Sequence, residues 1–104
     1  MNNTEAINII KKTCKRVFPN SRILLFGSRA RKDYSANSDF DFMIITKNTL
    51  DISDKRSYKA QLRKNFASYK IPTDVLIQSE EEIKLKKEIT GHIVRQVMKE
   101  GVII

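Results

Sequence analysis

The 104 residues include one cysteine, one histidine, two prolines and three glycines. A lone thiol, Cys14, cannot close an internal disulfide and is compatible with a reducing compartment. One cysteine and one histidine cannot build a zinc cluster, and no Ser/His/Asp constellation for nucleophilic catalysis can be assembled. No apolar run approaches the ~20 residues of a membrane span. The start, Met1-Asn2-Asn3-Thr4-Glu5, lacks the basic-then-apolar order of a signal peptide. The expectation is a cytoplasmic protein with no membrane partner. Acid is also scarce: 12 Asp and Glu stand against 20 Lys and Arg, a net charge of +8. Such a surface attracts nucleic acid, nucleotides or an acidic protein, although interspersed glutamates also suit a plain solubility coat. There is no repeat, low-complexity segment or linker. The length fits one domain over 1–104, within the usual range of about 50–250 residues. A content of 40% hydrophobic and 31% charged residues reads as globular.

The elements follow from spacing. Ala6, Ile7, Ile10, Cys14 and Val17 recur at helical intervals, which predicts an amphipathic helix over Thr4–Phe18 with Thr4 as its cap. Cys14 lies on the apolar stripe and reads as core rather than nucleophile. Pro19-Asn20 ends that helix. Arg22–Phe26 and Phe40–Thr46 read as strands, the second buried on both faces. Between them lie a short helix over Ser28–Lys32 and a loop rich in turn formers, Asp33–Ser38. A helix over Asp54–Tyr69 presents Tyr58, Leu62, Phe66 and Tyr69 on one stripe and Lys55, Lys59 and Arg63 on a solvated row. Thr73–Gln78 has the β-branched content of a third strand. Ser79 and Glu82 form a capping box that opens a helix to Glu88. A second helical stretch runs over Thr90–Glu100, with Ile89, Ile93, Val94, Val97 and Met98 as its apolar face and His92 in a surface or packing role. Gly101 stops it, and Val102-Ile103-Ile104 is an edge strand or an apolar tail.

The chemistry sits in one stretch, Ile23 to Thr46. An apolar strand turns abruptly at Gly27-Ser28; after ten residues the chain presents Asp39-Phe40-Asp41 and enters a second apolar strand. Residues two apart in a strand share a face and lie roughly 6.5–7 Å apart, so Asp39 and Asp41 project side by side. Two such carboxylates repel, and a divalent cation relieves them; hard oxygen donors suit magnesium. A glycine after a strand lets backbone approach a ligand, and the start of the following helix offers N–H groups to phosphate. Ser28 could cap that helix or hold a terminal phosphate. Arg29 and Arg31, two apart on a helix, do not share a face, so at most one turns into the site. Ser38 supports the loop leading to Asp39. Asp74, entering an apolar strand, would be costly unless it met a cation or solvent. A metal and a polyphosphate side by side describe phosphoryl or nucleotidyl transfer.

Gly27-Ser28, ten residues, and Asp39-Phe40-Asp41 resemble the signature of the DNA polymerase beta-type nucleotidyltransferases. The runs Gly27-Ser28-Arg29-Ala30-Arg31 and Ser38-Asp39-Phe40-Asp41 resemble in particular the minimal nucleotidyltransferase (MNT) antitoxins that accompany HEPN-domain toxins. Lys32 departs from the pattern, standing where these proteins often have glycine. The resemblance implies an α/β nucleotidyltransferase fold, a small mixed β-sheet flanked by helices. It implies magnesium, two ions, on Asp39, Asp41 and Asp74, with Asp74 helping to activate an attacking hydroxyl. Gly27, Ser28, Arg29 and Ser38 would then hold ATP. The implied activity is transfer of AMP to a tyrosine of a HEPN ribonuclease toxin. Two rivals differ in class: an antitoxin or scaffold that acts by binding alone, and a transferase acting on RNA or a small molecule. Three carboxylates favour catalysis over binding, and the lack of a second, acceptor-holding domain disfavours a small-molecule acceptor.

Overall fold

Side chains alternate along a strand, and here the alternation feeds two separate cores. The computed structural model describes all 104 residues. Its strands are β1 (Arg22–Phe26), β2 (Phe40–Thr46), β3 (Thr73–Ser79) and β4 (Val102–Ile103), forming one mixed sheet in the order β3-β2-β1-β4. β1 is antiparallel to both β2 and β4, whereas β2 and β3 are parallel. A parallel pair needs a crossover, and helix α3 (Ile52–Ser68) supplies it.

Phe40, Phe42 and Ile44 of β2, Ile23 and Leu25 of β1, and Val75 and Ile77 of β3 point to one face. There they meet Ala6, Ile10 and Cys14 of α1 (Asn3–Val17) and Leu62 and Phe66 of α3. Phe42 and Phe66 pack edge to face, with ring centroids 5.7 Å apart. The intervening residues Leu24, Phe26, Met43 and Ile45 point to the other face. They are covered by Ile83 of α4 (Glu80–Lys86) and by Val94 and Val97 of α5 (Ile93–Glu100). The expected two-sided burial of the second strand is observed. Each such side chain taken from water contributes about 1.5–3 kcal/mol. The predicted architecture, a small mixed sheet with flanking helices, is what the chain adopts.

Several element ends differ from expectation, each for a local reason. Asn2, not Thr4, caps α1, its Oδ1 accepting the Glu5 N–H at 2.8 Å. Asp51 caps α3 in the same way through the Asp54 N–H. Tyr69 is the C-cap of α3 rather than part of its stripe and is exposed; Lys70 after it takes a positive φ of 59°. The last helix begins at Ile93 rather than Thr90: Gly91 takes φ 80°, and His92 caps the helix through Nδ1, which accepts the Val94 N–H. Ile89 and Ile93 are consequently exposed, and Val94 and Val97 alone of the expected face are fully buried. Val102-Ile103 is an edge strand with exposed side chains. Cys14 is fully buried, and burial pushes its thiol up to about 12, so it is chemically inert. No helix is long and apolar enough to cross a membrane.

Candidate active site

β1 ends at Phe26, which lies opposite Asp41 in the antiparallel register. The next residue, Gly27, has φ 70°, a left-handed conformation that glycine alone adopts without strain. Its missing side chain matters as well. A Cβ at Gly27 would overlap Asp41 Oδ2 and come within 3.1 Å of Asp41 Cγ. The turn therefore lies directly against the Asp41 carboxylate.

Asp41 is also in register with Asp74 on the parallel neighbour β3, at an interstrand spacing of about 4.8 Å. Asp39 lies two residues back, just ahead of β2. All three share the parity of Met43, Ile45 and Leu76, whose side chains pack towards α4 and α5. Asp39 and Asp74 are exposed and Asp41 is half-buried. Burial raises the Asp41 carboxyl above the ordinary carboxylate range; Asp74 and then Asp39 raise it further, and Arg31 pulls it back. The three acids thus act on one another electrostatically at one end of the sheet. They do not form a ready-made cage, since no three acidic, His or Cys side chains stand at metal-holding spacing. Magnesium rarely needs one: it is commonly held by one or two carboxylates, with phosphate and water completing its shell. The oxygen donors and the open backbone beside Asp41 fit that pattern.

The other expected residues divide. Ser28 is half-buried in the first turn of α2 (Gly27–Arg31), but it does not cap the helix; Phe26 is the cap position and no side chain bonds there. Arg29, expected to touch nucleotide, stands among contacts that tie α2 to the loop before Asp39. It is buried, with Nη2 donating to Ser38 O at 2.9 Å and Nη1 to Asn3 Oδ1 at 3.2 Å. Its guanidinium stacks 4.3 Å from the Tyr34 ring centroid and 4.1 Å from that of Phe40. Ser38, also expected at the nucleotide, has its hydroxyl accepting the Ser35 N–H at 2.9 Å. Both residues fasten the loop that delivers Asp39. Lys32 takes φ 65° as the α2 C-cap, the conformation for which glycine is best suited.

Arg31 and Glu100 complete the site. Arg31 faces Asp41 electrostatically, and its Nη1 lies 3.6 Å from Glu100 Oε1. The same Glu100 oxygen accepts the Gly27 N–H at 3.3 Å. Spacing left Arg31 as an alternative to Arg29. Nothing local in the sequence marks Glu100, which arrives 73 residues after Gly27 through the pairing of β4 with β1.

Comparison with known proteins bears on this geometry. The family model described as polymerase beta, nucleotidyltransferase, matches residues 8–104. A Methanocaldococcus jannaschii protein, named for an inferred protein adenylyltransferase activity, is 31% identical over 100 residues, covering 94% of each chain. A toxin–antitoxin crystal structure with AMP-PNP superimposes with a TM-score of 0.63 at 21% identity, over 98% of this chain and 72% of that one. A Sulfolobus solfataricus protein described as an inferred nucleotidyltransferase gives 0.55 at 24% identity, over 95% and 76%. An MntA–HpeT toxin–antitoxin variant, with two aspartates two positions apart exchanged for glutamate, gives 0.60 at 22% identity, over 99% and 71%. At these identities the structural likeness concerns the fold.

Proposed function

Because the chain belongs to the polymerase beta-type nucleotidyltransferase family, we propose that it is the transferase of a toxin–antitoxin pair, moving AMP from ATP to a tyrosine hydroxyl of a HEPN ribonuclease toxin. The observation that carries this is the junction of Gly27 with Asp41, in register with Asp74. It sets an open backbone turn against two carboxylates, which suits a triphosphate and an attacking hydroxyl held together. The relatives support a protein acceptor: one is named for protein adenylyltransfer, and others are toxin–antitoxin structures, one with an ATP analogue. We further propose that residues 1–104 form a single domain and that a docked protein partner presents the hydroxyl.

In this reading Gly27 and Ser28 hold the phosphates through backbone N–H and hydroxyl donors. Asp39 and Asp41 would hold magnesium, with Asp74 beside them. Magnesium bound there supplies charge neutralisation on the phosphates and the departing pyrophosphate. Asp74 takes the proton from the acceptor hydroxyl as its oxygen bonds to the α-phosphorus. The bond from that phosphorus to the α–β bridging oxygen breaks, and pyrophosphate carries away the electron pair. Arg29, Ser38 and Phe40 keep the Asp39 loop in place.

The test is Asp74→Asn in the complex with the partner toxin. It keeps shape but cannot accept a proton, so the transfer rate should fall by about 10²–10⁴-fold. Affinities for ATP and for the partner should persist, and added AMP should disappear from the partner's mass spectrum. Full transfer by the variant would refute the assignment of Asp74. Complete neutralisation without transfer would show that the protein acts by binding, and AMP found on RNA instead would move the acceptor to nucleic acid.

A further inference from the structure

We propose that Glu100 is a built-in anion stand-in: in the free protein its carboxylate occupies the Gly27 N–H and the Arg31 guanidinium, and an incoming polyphosphate must displace it. The inference rests on the nucleotide site proposed above and adds the residue that sets its affinity. Glu100 Oε1 accepts the Gly27 N–H at 3.3 Å and lies 3.6 Å from Arg31 Nη1. Gly27 lies directly against the Asp41 carboxylate, and the charge of Arg31 acts on that same carboxylate. A carboxylate is an unexpected neighbour for an end of the sheet that already carries Asp39, Asp41 and Asp74. Its presence makes chemical sense as a substitute, because carboxylate and phosphate oxygens accept from the same N–H and guanidinium donors.

The contacts are made to be released. The N–H bond is longer than the common 2.9–3.0 Å, and the ion pair is partly exposed, the Glu100 side chain at 25% and Arg31 at 47%. Arg31 is also shared with Asp33, 3.2 Å from its Nε. The backbone beneath Glu100 is pinned. Gly101 donates its N–H to Val97 O at 2.7 Å, and a Cβ there would come within 2.5 Å of that oxygen and 2.9 Å of Leu24 Cδ2. Val102 and Ile103 then pair with β1. Displacement is therefore a rotation of one side chain rather than a movement of α5. Glu100 also lines an open polar groove of about 460 Å³ with His92, Arg95 and Lys99, so the released carboxylate meets water and basic side chains. The device sets a threshold. A ligand must offer more than one carboxylate's worth of charge to gain both donors, so tri- and pyrophosphate are favoured over monoanions.

The experiment compares the whole chain with Glu100→Gln and Glu100→Ala, using calorimetry with magnesium–ATP and, separately, with inorganic tripolyphosphate. Both variants should bind both probes about twofold to fivefold more tightly than the unaltered protein. The gain should shrink between about 50 mM and 0.5 M salt as the pair is screened. The Gly27 amide resonance should shift in Glu100→Ala without ligand, and in the unaltered protein on adding tripolyphosphate. Equal or weaker binding by the variants, with melting temperatures unchanged and transfer intact, overturns the stand-in and spares the proposed function. If neither the protein nor its variants bind ATP, the proposed nucleotide site fails, and this inference fails with it.

Discussion

Replacing Gly27 by alanine tests how closely the turn and the Asp41 carboxylate are joined. Two costs add. The residue sits at φ 70°, where an L side chain is strained by about 1–2 kcal/mol. The new Cβ overlaps Asp41 Oδ2, and relieving such overpacking costs about 1–3 kcal/mol. The β2 backbone cannot give way, because Phe42 and Met43 are fully buried on opposite faces of the sheet; the half-buried carboxylate must swing aside. The lower half of the second range applies, for a total of about 2–4 kcal/mol. Urea denaturation measures it. The decisive arm is the same change in an Asp41→Ala background. There the carboxylate is gone and only a tight Cβ contact at 3.2 Å remains, so the cost should drop towards the backbone strain plus a small shift of that Cβ. The expected coupling is about 1–2 kcal/mol. In the single variant the displaced carboxylate should also lower transfer by about 10²-fold. An identical cost in both backgrounds would refute the contact and the argument built on it.

Three further outcomes follow from the geometry. Since burial, Asp74 and Asp39 raise the Asp41 carboxyl above its ordinary 3.8, the folded state holds that proton more tightly than the unfolded state. The associated stability is present at acid pH and lost as pH rises from 3.8 to the raised value. Metal-free Asp41→Asn should accordingly melt higher than the unaltered protein at pH 7, with the gain vanishing near pH ~3 and added magnesium stabilising the unaltered protein more than the variant. Arg29→Ala strips partners from Ser38 O and Asn3 Oδ1 and removes two ring contacts, which should cost about 2–3 kcal/mol by urea denaturation. Arg29→Lys should not rescue it, because an ammonium cannot reproduce the planar fork. Lys32→Gly relieves a φ of 65° and should stabilise the fold by about 0.5–1 kcal/mol in the same assay.

The strands were legible because their signals are local. Ile23–Phe26 and Phe42–Ile45 are short apolar runs bounded by turn residues, and burial on both faces leaves such runs no other stable use. Gly27 and the spacing to Asp39 were legible for a similar reason: a backbone turn and a period of two are properties of a few consecutive residues. Local sequence does not fix the surroundings of Arg29. Spacing says only that Arg29 and Arg31 diverge. Which one faces the acids depends on where Asn3, Tyr34 and Phe40 stand, and that is fixed by packing of α1 and the loop. Glu100 was invisible because its place depends on the pairing of β4 with β1.

Parity connects these residues. Phe40 lies between Asp39 and Asp41 and points the opposite way, into the core lined by α1 and α3. Arg29 stacks on its ring 4.1 Å from the centroid and bonds the carbonyl of Ser38 just before Asp39. That clasp fixes the first residue of β2. With Phe40 held to one side, the pleat must send Asp39 and Asp41 to the other, the face that α4 and α5 cover. The acids therefore meet whatever the end of α5 supplies, and it supplies Glu100. A residue that touches no acid in the site thus determines which way the acids face. Loss of Arg29 should accordingly impair transfer even where ATP contacts are untouched, an effect that restoring stability by osmolyte should reverse only in part. Full recovery of transfer in an osmolyte that restores the melting temperature would show that the clasp stabilises the fold without setting the direction of Asp39.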